Sequence, residues 1–139
     1  MRAIEPKGWL RGPGFSHAFA TEGEELVYFS GVIGSDPTTG EIAGDGMVEQ
    51  FAQAVRNVAD VVAAAGAAPD RVIFLRIYVT DREAYMGNLK AIGEAFRDVF
   101  GSHYPAMTFL VVSGLFDSRS LVEIDGVAAI AGAGEEARG

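Results

Sequence analysis

Apolar residues line one face of two stretches of the chain at helical spacing. In residues 47–65 they are Met47, Phe51, Ala54, Val58, Val61 and Ala65, close to the 3.6-residue period of a helix. Glu49 falls in the first turn, where the helix dipole favours negative charge, and Gly66 stands where a capping glycine belongs. In residues 82–100 the stripe is Tyr85, Leu89, Ile92, Phe96 and Val99, with Thr80 and Glu83 at capping-box spacing and Gly101 at the end. Gly87 and Gly93 each cost this second helix about 1 kcal/mol relative to alanine; a close approach of helix to sheet would account for them.

A period of two marks the strands. Residues 72–79 are strongly β-prone, with Ile73, Leu75, Ile77 and Val79 on one face and Val72, Phe74, Arg76 and Tyr78 on the other. Further strands are predicted at 26–30, 107–113 and 121–130, and one at 15–20 that would pair with 26–30 through the Gly23 turn. Asp36-Pro-Thr-Thr-Gly40 reads as a turn, and residues 131–139 as a disordered tail after a single domain spanning 1–130. The expected class is α+β: a mixed β-sheet with two helices packed on one face, because two helices cannot cover both. The bare face would carry Phe74 and Tyr78, which signals self-association.

Composition narrows the function. A chain of 139 residues at net charge −8 lacks the basic stripe that phosphate contacts require, which argues against a nucleic-acid partner. It has no cysteine, so no disulfide, thiolate metal site or thiol nucleophile, and only two histidines, so a histidine-based metal site is not expected. No apolar run has membrane-spanning length and the first residues lack a signal-peptide core. The expectation is a cytoplasmic protein without membrane contact or cofactor.

Glu123 lies among apolar residues in Ser120-Leu-Val-Glu-Ile-Asp-Gly126, with Asp125 on the same strand face. Partial burial would raise either carboxyl toward the range useful for proton transfer, whereas simple alternation would leave both solvated. His17, beside Ser16, and His103 have no partner spacing for a triad and read as structural. Gly31 and Gly34 lack the lysine and glycine pattern of a phosphate loop and read as turn glycines. Arg76 in mid-strand calls for a carboxylate partner, such as one across a subunit interface, more than for a substrate.

Several segments, in order, resemble the YjgF/RidA family of small trimeric enamine/imine deaminases. They are Gly12-Pro-Gly-Phe-Ser-His-Ala18, Phe29-Ser-Gly-Val-Ile-Gly-Ser-Asp-Pro37 with Thr39-Gly40, Gln50, Ala54, Asn57, Ala64-Ala-Gly66, Ile77-Tyr-Val-Thr-Asp81, Asn88, Tyr104-Pro-Ala106 and Leu121-Val-Glu-Ile-Asp125. Each is weak alone; the ordered set covers residues 12–130. The resemblance implies a chorismate-mutase-like homotrimer whose sheets form a central barrel, with small-molecule pockets between subunits. It makes Glu123 the residue that positions or activates the attacking water, and Phe15, Ser16, Gly31, Met107 and Phe109 the substrate-binding set. Two positions depart from the family. Met107 stands where the family usually has an arginine that grips the carboxylate of 2-imino acids, and Phe15 replaces a tyrosine. Methionine offers packing and a weak acceptor sulfur only, so its presence should cost a carboxylate substrate several kcal/mol. The implied activity is hydrolysis of an imine, enamine or related C–N bond in a substrate other than a standard 2-imino acid, with Arg76 or Arg119 as conceivable substitute anion contacts and Phe116 as a further apolar wall. The alternative is a non-catalytic, ligand-binding or regulatory trimer with the same pocket. A nuclease or translation-inhibitor role, attached to some relatives, fits poorly with the net charge of −8.

Overall fold

The computed structural model describes residues 1–10 and 14–131; Gly12 and Pro13 of the first motif, and the tail reading for 132–139, lie outside them. The elements run β1 (Arg2–Ile4), β2 (Ala18–Ala20), β3 (Glu25–Ile33), α1 (Met47–Ala64), a 3₁₀ turn (Pro69–Arg71), β4 (Val72–Val79), α2 (Arg82–Met86), α3 (Leu89–Phe100), β5 (Ala106–Val111) and β6 (Val122–Ile130). Four strands form one mixed sheet in the order β3-β6-β4-β5. β6 is antiparallel to both neighbours, and β5 is parallel to β4. The connections β3–α1–β4 and β4–α2–α3–β5 are therefore crossovers, which need a helix. All helices lie on one face, as an α+β architecture requires.

Alternation along β4 and β6 builds the core. Leu75, Ile77 and Val79 of β4, and Val122, Ile124 and Ala128 of β6, are buried against Phe51, Ala54, Val55, Val58 and Val62 of α1. Burying each large side chain is worth roughly 1.5–3 kcal/mol. Phe96 of α3 stacks on Phe100 (centroids 4.4 Å apart) and on Tyr104 (5.8 Å), closing the far end. Two polar side chains of α1 are buried and fully used. Gln50 donates to the Gly44 and Arg119 carbonyls and accepts from the Leu121 N–H at 2.8 Å; Asn57 donates to the Ile33 and Ser35 carbonyls. They fasten the end of β3 and the start of β6 to the same helix.

Five expectations change. β2 pairs with β1, not with β3: Arg2 faces Ala20 and Ile4 faces Ala18. The 82–100 helix is two helices, broken at Gly87–Asn88, and its N-cap is Asp81, whose carboxylate accepts from the Ala84 N–H at 3.0 Å; Thr80 does not cap it. Gly87 and Gly93 do not admit the sheet. Gly87 ends α2, and a Cβ on Gly93 would meet the Arg97 guanidinium at 3.0 Å. Gly31 is not a turn glycine, since β3 runs on to Ile33, and Gly34, at the bend that follows, also admits α1: a Cβ there would lie 2.2 Å from the Gln50 carbonyl oxygen. Finally, the carboxylate that Arg76 calls for is on the neighbouring strand of the same chain: its Nε donates to Asp125 at 2.8 Å. Among the described residues no helix is long and apolar enough to cross a membrane.

Candidate functional site

The open face of the sheet holds a small polar array. Cross-strand register sets Arg76 beside Asp125 and Tyr78 beside Glu123. Asp125 is consumed there: it accepts from Arg76 Nε (2.8 Å) and Nη2 (3.3 Å) and from the Tyr78 hydroxyl (3.1 Å). The bond and charge of Asp125 hold the Arg76 guanidinium above its ordinary range. Burial, then the bond to Asp125 and the nearby carboxylate charges, lift the Tyr78 phenol. Glu123 is half-buried and, among the described residues, its carboxylate makes no hydrogen bond or ion pair.

The main chain makes room for that carboxylate. Between Phe29, paired with Gly126, and Val32, paired with Ile124, two residues of β3 oppose the single Asp125, a β-bulge at Ser30–Gly31. A Cβ at Gly31 would lie 2.8 Å from Glu123 Cδ and 2.9 Å from Oε2, so only glycine lets the carboxylate lie against the strand. A bulge also disturbs the ladder and leaves backbone polar groups unpaired beside it. One half-buried carboxylate thus lies beside irregular backbone.

The remaining candidates are elsewhere. In β5, Met107 pairs with Leu75 and Phe109 with Ile77, whose side chains are under the helices, so Met107 and Phe109 occupy the face opposite Glu123. They line a cavity of about 650 Å³ between the β5 edge and α2–α3, together with Phe15, Tyr85, Phe96 and Tyr104. Ser16 does not point into open space: its Oγ donates to the Tyr104 carbonyl at 2.7 Å and its N–H to the Pro105 carbonyl at 3.1 Å, pinning Phe15 over the cavity. Tyr85 packs against Phe51 (6.0 Å) and Phe109 (5.9 Å), and burial pushes its phenol up to about 12. One chain therefore holds two groups: Gly31 and Glu123 on the open face, and Phe15, Ser16, Met107 and Phe109 at the β5 edge.

The other candidates have other roles. His17 pairs through Nδ1 with Glu5 and sits edge-on between Trp9 and Phe15, and His103 Nε2 donates to the Val72 carbonyl at 2.6 Å. Phe116 is fully exposed and does not line the cavity, and Arg119 is tied to Asp117 at 2.9 Å. The cations that do line the cavity among the described residues, Arg82 and Arg97, escape a reading of the sequence: only the packing of α2 and α3 beside β5 brings them to it. Among the described residues no cluster of histidine, aspartate and glutamate could hold a metal ion.

The family profile described as Endoribonuclease L-PSP matches residues 12–130. Among characterised relatives, the human 2-iminobutanoate/2-iminopropanoate deaminase is 29% identical over 105 residues, covering 76% of this chain and 73% of the relative. Protein DfrA of Myxococcus xanthus is 31% identical over 117 residues, covering 84% and 85%. The crystal structure of the Rid protein YyfB from Yersinia pestis superposes with a TM-score of 0.83 at 28% identity, over 93% of this chain and 98% of that one. The chain belongs to the Endoribonuclease L-PSP family, the YjgF/RidA proteins.

Proposed function

We propose that the protein is an imine or enamine deaminase acting on a small metabolite. The carrying observation is the contrast between neighbouring carboxylates: Asp125 is saturated by Arg76 and Tyr78, whereas Glu123, over Gly31, has no partner among the described residues. In this reading Glu123 accepts a proton from water as the C–O bond forms at the imine carbon and the C=N π pair moves to nitrogen. It then returns the proton to that nitrogen. Glu123 next carries the carbinolamine hydroxyl proton to the same nitrogen while the C–N bond breaks with its electron pair on nitrogen, so that ammonia leaves and the O–H pair forms the carbonyl. Such general acid–base work contributes about 10²–10⁴ in rate.

The site would be composite. The open face leaves Tyr28 75% exposed and the β5 edge leaves Phe109 50% and Val111 58% exposed, surfaces that a second copy would cover. A homotrimer that sets Gly31 and Glu123 of one copy against the Phe15–Met107–Phe109 cavity of the next would unite the two groups. The name of the relatives at 28–29% identity supports deaminase chemistry. Met107, packed against the core, offers no carboxylate grip at that position.

The test is ammonia release from a panel of imines, both 2-imino acids generated in situ by an amino-acid oxidase and carboxylate-free imines generated by an amine oxidase, with mass measured by light scattering. Wild type should accelerate release as a trimer and Glu123→Gln should not. A wild-type rate equal to buffer ends the deaminase reading. A tightly held, unreacted metabolite in that case would favour the non-catalytic binder that uses the same pocket.

A further inference from the structure

The cavity at the β5 edge has an apolar body and a cationic rim. Among the described residues, Arg82 and Arg97 are the two charged ones that line it. Arg82 reaches, among the described residues, only the exposed Glu83, at 3.3 Å. Arg97 has no ion pair or side-chain hydrogen bond among the described residues. An arginine in the last turn of a helix ordinarily serves the negative end of the dipole. Here the guanidinium is laid back one turn, with Nη1 3.0 Å from where a Cβ of Gly93 would stand. Gly93 lines the same cavity, so its missing side chain is what lets the guanidinium lie along the wall.

We infer that Arg97, assisted by Arg82, binds the carboxylate of a ligand whose bulky, aryl or branched body fills the cavity. A chain of net charge −8 repels anions over most of its surface, so an unpaired guanidinium at a cavity mouth is a local exception. A planar guanidinium matches one carboxylate with two parallel hydrogen bonds. Phe15, Tyr85, Phe96, Tyr104 and Met107 supply walls suited to a ring, and about 650 Å³ is far more than a two- or three-carbon chain needs. The two arginines singled out in the sequence do not compete: Arg76 is held by Asp125, and Arg119 by Asp117. The carboxylate grip that Met107 cannot supply is thereby provided from α3, and selectivity shifts from short to bulky acids. This deepens the deaminase reading by naming a substrate class, a bulky 2-imino acid, but the ligand's shape and charge rest on the cavity alone.

Three stable probes test it by calorimetry on the full chain in its native assembly: 3-phenylpropanoate, its neutral isostere 3-phenylpropanamide, and butanoate. One charge-assisted contact predicts that 3-phenylpropanoate binds at least about ten-fold tighter than either comparison probe. Arg97→Gln should erase that preference while leaving the amide's affinity unchanged, and Arg97→Lys should restore part of it. Equal affinity for acid and amide would overturn the inference. So would a preference that survives Arg97→Gln, or a cavity that takes no probe because a second copy fills it. These outcomes do not depend on turnover. Absence of ammonia release would remove the deaminase reading and leave the binding result standing, whereas Arg97-independent binding would remove the inference whether or not ammonia is released.

Discussion

The open face around Glu123 and the cavity beside β5 are made in different ways. The open face is shaped by main chain: a bulge at Ser30–Gly31, a glycine that admits the carboxylate, and a cross-strand register that spends Asp125 and spares Glu123. The cavity is shaped by side chains from several parts of the sequence, from Phe15 to Val111. The first can position a reacting group closely, because register and glycine leave few alternatives. The second can vary what is bound without disturbing the sheet. Proton handling and ligand choice are thus separable, and changes on one face should leave the other's property intact.

The largest effect expected is on the open face. Glu123→Gln keeps shape and removes the base, and should lower kcat by about 10²–10³, while Asp125→Asn keeps most of the rate. Ammonia-release kinetics on both variants decide this; an equal loss would mean that the array works as a unit and that the contrast between the carboxylates is void. Gly31→Ala acts by displacement. Its Cβ would sit 2.8 Å from Glu123 Cδ, so the side chain must swing away, and a misplacement of that order costs about 10- to 100-fold in kcat. Circular dichroism and melting should be near wild type, because the obstacle is the end of a flexible side chain.

Gly34→Ala sharpens the comparison from the structural side. Its Cβ meets α1 backbone at 2.2 Å, which cannot be relieved by a rotamer change. Denaturant unfolding should show a loss of about 2–4 kcal/mol. A neutral result would show that α1 is free to move off β3, and that Gln50 and Asn57 do not hold the site's strands in place.

What the sequence makes legible follows the same division. Local patterns are enough for the strands near 26–30, 72–79, 107–113 and 121–130, for α1, and for a sheet with one open face. They also put Glu123 and Asp125 on one face, since a period of two needs no knowledge of neighbours. Pairing is not legible. Nothing local shows that β2 prefers β1 to β3 across a single turn, because both pairings satisfy short apolar strands. Nor does alternation tell which face of β5 matches which face of β6 when β4 lies between them: the resemblance puts Met107 and Glu123 in one pocket between subunits, and only the pairing shows that within one chain they lie on opposite faces. Arg97 carries no local signal at all, because a charged residue in the last helical turn is what any helix tolerates.

The smallest predicted effect separates the two regions by what raises each tyrosine. Tyr85 is held up to about 12 by burial in the cavity, whereas on the open face Tyr78 is raised by burial and then by the bond and charge of Asp125. A phenol whose folded-state value is raised keeps its proton longer in the native state. Its stabilising contribution is complete below about pH 10, the ordinary tyrosine value, and is lost as pH rises from there through the folded-state value, near 12 for Tyr85. Unfolding measured at pH 9 and pH 11 should therefore show a fall in stability that is smaller in Tyr85→Phe. Ultraviolet titration of the phenolates should place one late group, which disappears in Tyr85→Phe and does not respond to Asp125→Asn. The same Asp125→Asn change should bring Tyr78 down toward its ordinary range. If it moved Tyr85 as well, charge on the open face would reach the cavity through the sheet, and the two regions would be one electrostatic site.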